Sequence, residues 1–99
     1  AIKEYLDENY KERISLDELA NKFYISKYYM LRLFNESYGT TINNYVNVLR
    51  ITKAKQMLRF SDKRIDEIGQ VVGMDDPNYF SRAFKKVEGI SPSEYRKMW

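Results

Sequence analysis

The sequence predicts an all-α fold of seven helices, with two helix-turn-helix subdomains joined by a long central helix. Three observations lead there. The 99 residues hold only two prolines and four glycines, so long stretches contain no helix breaker. Apolar residues recur every three or four positions between recognisable capping residues. The second half of the chain also repeats the first. A hydrophobic share of 43%, with 15% aromatic residues, can build a core and is not a disordered composition.

The elements follow in order. Ile2, Leu6 and Tyr10 place one apolar stripe on a helix over residues 1–11. Ser15-Leu16-Asp17-Glu18 forms a capping box for a second helix running to about Phe23, stapled by Ile14 and Leu19. Ser26 caps a third helix that Gly39 stops in the left-handed region. Thr41 caps a long fourth helix to about Arg59, and Asp62 or a neighbour starts a fifth that Gly73 closes. Asp76-Pro77 pairs a cap with proline at the first helical position, opening a sixth helix that ends at Gly89. Ser91-Pro92-Ser93-Glu94 is a second capping box, stapled by Ile90 and Tyr95, for a short last helix.

The repeat organises these helices. Leu16-Asp17-Glu18-Leu19-Ala20 matches Ile65-Asp66-Glu67-Ile68-Gly69 at an offset of 49. One extra residue in the second turn makes the offset 50, and Tyr29, Arg32, Phe34, Gly39, Thr41 and Tyr45 then match Tyr79, Arg82, Phe84, Gly89, Ser91 and Tyr95. Each copy is a short helix, a tight turn and a longer helix, the arrangement in which the second helix can enter a major groove. Residues 1–40 make the first unit, 41–60 the connecting helix and 61–99 the second unit.

Helical spacing divides each longer helix into two faces. In the first, Met30, Leu33 and Phe34 are expected in the core, with Tyr28, Leu31, Arg32 and Asn35 opposite. In the second, Phe80, Ala83, Phe84 and Val87 are expected inside, with Asn78, Ser81, Arg82 and Lys85 outside. Arginine can grip guanine with two hydrogen bonds and asparagine can grip adenine, so an arginine repeated on the same face of both helices points to base contact. The bland alternative for each is a surface residue or an internal ion pair. The connecting helix, at about 1.5 Å per residue, spans roughly 28 Å. Successive major grooves on one face of DNA lie about 34 Å apart, so such a connector can hold two units one groove apart. An ordinary core helix has the same length.

Composition narrows the alternatives. The chain has no cysteine and no histidine, which removes a disulfide framework and disfavours zinc sites and general-base catalysis. Asp17-Glu18 and Asp66-Glu67 sit in first turns, where capping and the helix dipole explain them. No apolar run approaches the roughly 18 residues of a membrane span, and no signal-peptide pattern is present. A cytoplasmic protein without cofactor or metal is the expectation. The start at Ala1, inside an amphipathic pattern and without an initiator Met, predicts a domain of a longer protein. Net charge is +3, and the excess lies in residues 51–99, with ten basic and seven acidic residues against seven and seven before them. That asymmetry suits a polyanionic partner but equally a solvated surface. A helical protein-interaction module is the remaining alternative; tight protein binding with little salt sensitivity is its mark.

The chain resembles the DNA-binding domain of the AraC/XylS family of bacterial transcription regulators along essentially its whole length. Its first half carries Leu16-Asp17-Glu18-Leu19-Ala20, Ser26 to Phe34, Gly39, Tyr45, Arg50 and Ile51. Its second half carries the more specific run Ile65 to Ile68, Val72-Gly73-Met74, Asp76 to Lys86 and Gly89 to Arg96. The resemblance implies double-stranded DNA as partner and promoter binding, usually with activation. It implies base contacts from Tyr28, Leu31, Arg32, Pro77, Asn78, Ser81 and Arg82. Lys27, Tyr29, Tyr79, Lys85, Lys86 and Arg96 suit phosphate contacts, which fix register rather than sequence. It also implies a sensor or receiver domain on the full-length chain and leaves room for contact with RNA polymerase on DNA. Three positions depart from the family pattern. Leu31 replaces a usual polar residue and offers only an apolar contact, such as to a thymine methyl. Met74 replaces an aromatic, and Gly69 replaces an alanine at an expected cost of about 1 kcal/mol in helix stability.

Overall fold

A computed structural model describes residues 1–99 as seven α-helices without a strand: α1 (Ile2–Asn9), α2 (Leu16–Lys22), α3 (Lys27–Tyr38), α4 (Ile42–Phe60), α5 (Ile65–Val71), α6 (Pro77–Glu88) and α7 (Pro92–Lys97). The caps explain most of the boundaries. Ser15, Ser26, Thr41 and Ser91 each accept a hydrogen bond from the N–H three residues on, and Asp76 accepts from Asn78. Only the last helix has the full reciprocal box, with Glu94 reaching back to the Ser91 N–H at 3.1 Å. Asp62 does not cap α5. The chain stays extended to Arg64, whose N–H donates to Glu67, because three carbonyls in this neighbourhood are tied to Arg96.

Two cores form, and α4 supplies both. Ile42 and Val46 join Leu6, Leu19, Ala20, Met30 and Phe34 in the first. Ile51, Ala54 and Leu58 join Ile68, Val72, Met74, Phe80, Ala83 and Phe84 in the second. Burying each of the two phenylalanines of α6 stabilises the second core by about 2–3 kcal/mol. The repeat persists in its aromatic packing. Tyr45 meets Phe34 edge-on at 5.7 Å, and Tyr95 meets Phe84 edge-on at 5.6 Å. The result is an elongated body of 44 × 22 × 21 Å.

Two apolar residues expected inside lie outside. Leu33 is 41% exposed and Val87 38%. At about 100° per residue, Met30, Phe34 and Leu31 span the inner arc of α3, which leaves Leu33 on the far side of Met30. Leu31 itself is half-buried against the first core. Val87 stands in the last turn of α6 and shares an open groove with Val48, itself 40% exposed.

The turns inside the two units are copies at the backbone level. The N–H of Ile25 bonds to the Ala20 carbonyl and that of Tyr24 to Asn21; Met74 bonds to Gly69 and Gly73 to Gln70 in the same pattern. This Schellman motif needs a left-handed residue, and the two units fill it differently: Tyr24 has φ 58° and Gly73 has φ 95°. Tyr24 is 94% exposed, so its side chain meets no crowding. A Cβ on Gly73 would lie 2.7 Å from the Lys11 carbonyl oxygen, which excludes any side chain. Gly69 also has a packing role that its propensity cost hides. A Cβ there would come within 3.0 Å of both the Met74 carbonyl and the Phe80 ring, so the bare glycine lets α6 press close.

One polar contact ties α1 to α4. Tyr45 donates its hydroxyl to Asp7, which also takes a hydrogen bond from Lys3 at 3.1 Å. The Tyr45 hydrogen bond, reinforced by Lys3, holds the Asp7 carboxyl below its usual range against the opposing effect of burial.

Gly73→Ala loses about 3 kcal/mol in chemical denaturation, combining left-handed strain with carbonyl overlap, while Gly89→Ala, with open space around it, loses about 1 kcal/mol. Tyr24→Gly leaves stability unchanged or raises it by up to about 1 kcal/mol. Equal losses at positions 73 and 89 count against the crowding. For Asp7, a carboxyl whose folded pKa lies below its unfolded value stabilises the fold above the unfolded value and stops doing so as pH falls through the folded one. The stability gap between the native protein and Asp7→Asn therefore closes below about pH 4. A gap that is constant across an acid denaturation series rules this out.

Candidate nucleic-acid interface

Each unit presents its longer helix by burying one face and exposing the other. Met30 and Phe34 seat α3 in the first core, while Phe80, Ala83 and Phe84 seat α6 in the second. Tyr28, Arg32 and Asn35 are exposed on α3, and Pro77, Asn78, Arg82, Lys85 and Lys86 on α6, with Ser81 half-buried. Thirteen positions were expected at DNA, and ten besides Leu31, Ser81 and Arg96 keep their side chains at or near the surface of these two helices.

Several of these side chains are already held in place. The Arg32 guanidinium lies over the Tyr29 ring, 5.7 Å from its centre, and the Lys27 ammonium lies 6.0 Å from the Tyr28 ring. Such exposed stacking is worth about 0.5–1 kcal/mol, enough to bias a rotamer without locking it. Lys27 also pairs with Asp17 at 3.4 Å, an exposed contact that a phosphate can replace at little cost. Tyr79 takes a hydrogen bond from Asn47 of α4 at 3.3 Å, so its hydroxyl stands at the junction of α4 and α6.

The face of α4 between the two units relates the two helices in space. Asn43 lines a groove with Leu31, Arg32 and Asn35 of α3. Asn47, one turn later on the same face, touches Tyr79 and lines a groove with Arg82 and Lys86 of α6. Arg32 and Arg82 thus flank a common strip of α4, and neither is tucked inside. The sequence alone did not single out Asn43, Asn44 or Asn47. Asparagine on a helix surface carries no periodic signal, and only the fold places these residues beside both reading helices.

Arg96, expected at a phosphate, is engaged with main-chain carbonyls. Its Nε donates to the Leu58 carbonyl at 3.1 Å, Nη1 to Lys63 at 2.7 Å and Nη2 to Ser61 at 3.1 Å. All three nitrogens satisfy carbonyls at or just beyond the end of α4, which otherwise lack helical partners. With each nitrogen making one such bond, Arg96 fastens α7 to the start of the second unit, and only one N–H on each Nη remains for another acceptor.

Arg50 was visible in the sequence only as part of the family pattern. Its Nε donates to the Tyr10 carbonyl at 2.7 Å and its Nη2 to Glu12 at 2.9 Å. Burial lowers its pKa, opposed by Tyr79 and Asp75 nearby. No helix of the protein is long and apolar enough to cross a membrane.

Comparison with known proteins agrees with this geometry. A helix-turn-helix domain family matches residues 19–98, from the first core residue of α2 to the end of α7. The chain belongs to the AraC family. The AraC-type domain is 40% identical over 94 residues to the uncharacterized HTH-type transcriptional regulator YisR of Bacillus subtilis, covering 95% of this chain and 33% of that protein. It therefore spans about a third of that curated relative. Among solved structures it resembles the C-terminal domain of AraT, a response regulator from Geobacillus stearothermophilus. That match has a TM-score of 0.95 and 29% identity, over 99% of this chain and 82% of that one. It also resembles the DNA-binding domain of the global transcriptional factor AdpA in complex with target DNA. There the TM-score is 0.91 and the identity 25%, over 98% and 87% of the two chains.

If Arg96 is a fastener, Arg96→Ala lowers the melting temperature clearly, by several degrees for a domain of this size. The salt dependence of DNA binding by the folded variant stays as in the native protein. A salt slope reduced by about one, with stability intact, identifies it as a phosphate contact instead.

Proposed function

We propose that this domain binds promoter DNA sequence-specifically by placing α3 and α6 in successive major grooves. The observation that carries the reading is the shared strip of α4, where Asn43 borders the Arg32 groove and Asn47 borders the Arg82 groove. The two reading helices then meet one side of a duplex, and the 44 Å long axis suits the roughly 34 Å groove repeat. Family membership and the likeness to AdpA bound to its target support DNA as the partner.

Under this reading Tyr28, Leu31, Arg32, Pro77, Asn78, Ser81 and Arg82 face bases. Arg32 and Arg82 carry the hydrogen-bonding specificity, and half-buried Leu31 adds at most an apolar contact. Lys27, Tyr29, Tyr79, Lys85 and Lys86 take phosphates. The three units are residues 1–40, 41–60 and 61–99. The whole protein is then a cytoplasmic bacterial regulator, an activator that touches RNA polymerase from its promoter site. Its signal comes from a sensor or receiver domain on the longer chain, and the likeness to the response regulator AraT favours a receiver.

Selection of bound duplexes from a random pool returns two short motifs about one helical turn apart. On the selected site, Arg82→Ala loses about 1–3 kcal/mol and relaxes preference at one base position. Lys85→Ala weakens binding to selected and random DNA alike and flattens the salt slope. Identical behaviour of the two variants on both kinds of DNA contradicts the assignment of roles.

A further inference from the structure

We infer that Arg50 is a positioning residue that sets the angle between the two reading helices, and with it the half-site spacing the domain accepts. The inference rests on the two-groove reading above. The Arg50 fork grips the carbonyls of Tyr10 and Glu12, in the segment that joins α1 to α2 in the first unit. Arg50 itself sits one residue before Ile51, where α4 enters the second core. The Tyr10 ring, carried by the gripped segment, is buried in that second core. From the other side comes the stop of α5, so near that a Cβ on Gly73 would lie 2.7 Å from the Lys11 carbonyl and 3.3 Å from the Arg50 guanidinium carbon. First-unit carbonyls, guanidinium and second-unit turn are therefore stacked in direct contact.

This brace does something α4 cannot. A stiff helix fixes the stride between two units, but the rotation of one about that axis depends on what joins the units directly. The Asn47–Tyr79 hydrogen bond at 3.3 Å and the Lys55–Glu88 ion pair at 3.0 Å run only from α4 to α6, which leaves the Arg50 stack as the polar brace between the two units. Rotation matters on DNA because one added base pair turns the second half-site by about 34° and moves it by about 3.4 Å. A braced pair of readers rejects that change, and a loosened pair follows it.

The experiment uses Arg50→Ala and Arg50→Lys; lysine keeps the charge and stem but cannot fork between two carbonyls. Should the alanine variant fail to fold, the lysine variant carries the test, with helicity checked by circular dichroism. The first readout is affinity for duplexes whose half-sites are set one base pair closer, native or one pair farther apart, alongside a single half-site. The native domain is expected to prefer its own spacing by about a hundredfold, since a rigid linkage loses avidity when both sites cannot be engaged. The variants should fall to within about threefold across the series, with half-site affinity and salt slope unchanged. The second readout needs no DNA. The chain has no cysteine, so Asn21→Cys and Lys97→Cys, both exposed, accept spin labels without interference. The label-to-label distance distribution should be narrow in the native background and broad with either Arg50 variant. Unchanged spacing preference and an unchanged distribution in a folded variant overturn the inference. So does a lower half-site affinity with a reduced salt slope, which makes Arg50 a phosphate contact. Failure of the native domain to bind any duplex sinks the two-groove reading and the spacing half of the inference, and the label distances then decide whether the brace exists.

Discussion

One helix belongs to two hydrophobic cores, and the rest of the domain follows from that constraint. Ile42 and Val46 at one end of α4, and Ile51, Ala54 and Leu58 at the other, face separate clusters. Neither unit can bury its apolar face without the residues that α4 lends it, so neither is complete alone. Exposed aromatic surface at the ends, including Phe60 and Trp99 around Arg59, adds little to either core. Because both clusters hang from one backbone, the exposed faces of α3 and α6 inherit a fixed separation, which is what a reader of two grooves needs.

The polar residues that finish this arrangement act mostly on backbone atoms. Arg50 and Arg96 each spread a guanidinium over carbonyls that no helix satisfies. Arginine suits this role because its planar fork reaches several acceptors at once and stays charged when half-buried. The Tyr45–Asp7–Lys3 contact does similar work between α1 and α4. Ion pairs such as Lys27–Asp17 sit on the outside and are replaceable by a stronger anion.

Most of the fold was legible in the sequence because its boundaries are written in side chains. Ser26, Thr41, Asp76-Pro77 and Ser91 name their helix starts, and Gly39, Gly73 and Gly89 their stops. Asp62 misled because a residue that can cap gives no hint that the chain is held extended from the other side by Arg96. Leu33 misled because a stripe of apolar letters does not say how wide an arc the neighbouring helices cover. The outward faces of α3 and α6 were readable from spacing, since Met30, Phe34, Phe80 and Phe84 fix which way each helix turns. The braces were not. Their acceptors are main-chain carbonyls at residues 10, 12, 58, 61 and 63, and every residue has one, so no letter marks the partner. The cost assigned to Gly69 was a local one, whereas its benefit, the close seat of Phe80, exists only after α6 has docked.

The unlike residues in the two matching turns bear on how a doubled sequence ages. At Tyr24 the backbone needs an unusual torsion but solvent surrounds the side chain, so that copy is free to drift among many amino acids for a modest penalty. At Gly73 the same torsion faces a neighbour's carbonyl, and drift is closed. The two halves are thus no longer exchangeable parts. A hybrid built by copying the first half into the place of the second would carry tyrosine into the junction and could not seal it, although each half would still match its own pattern.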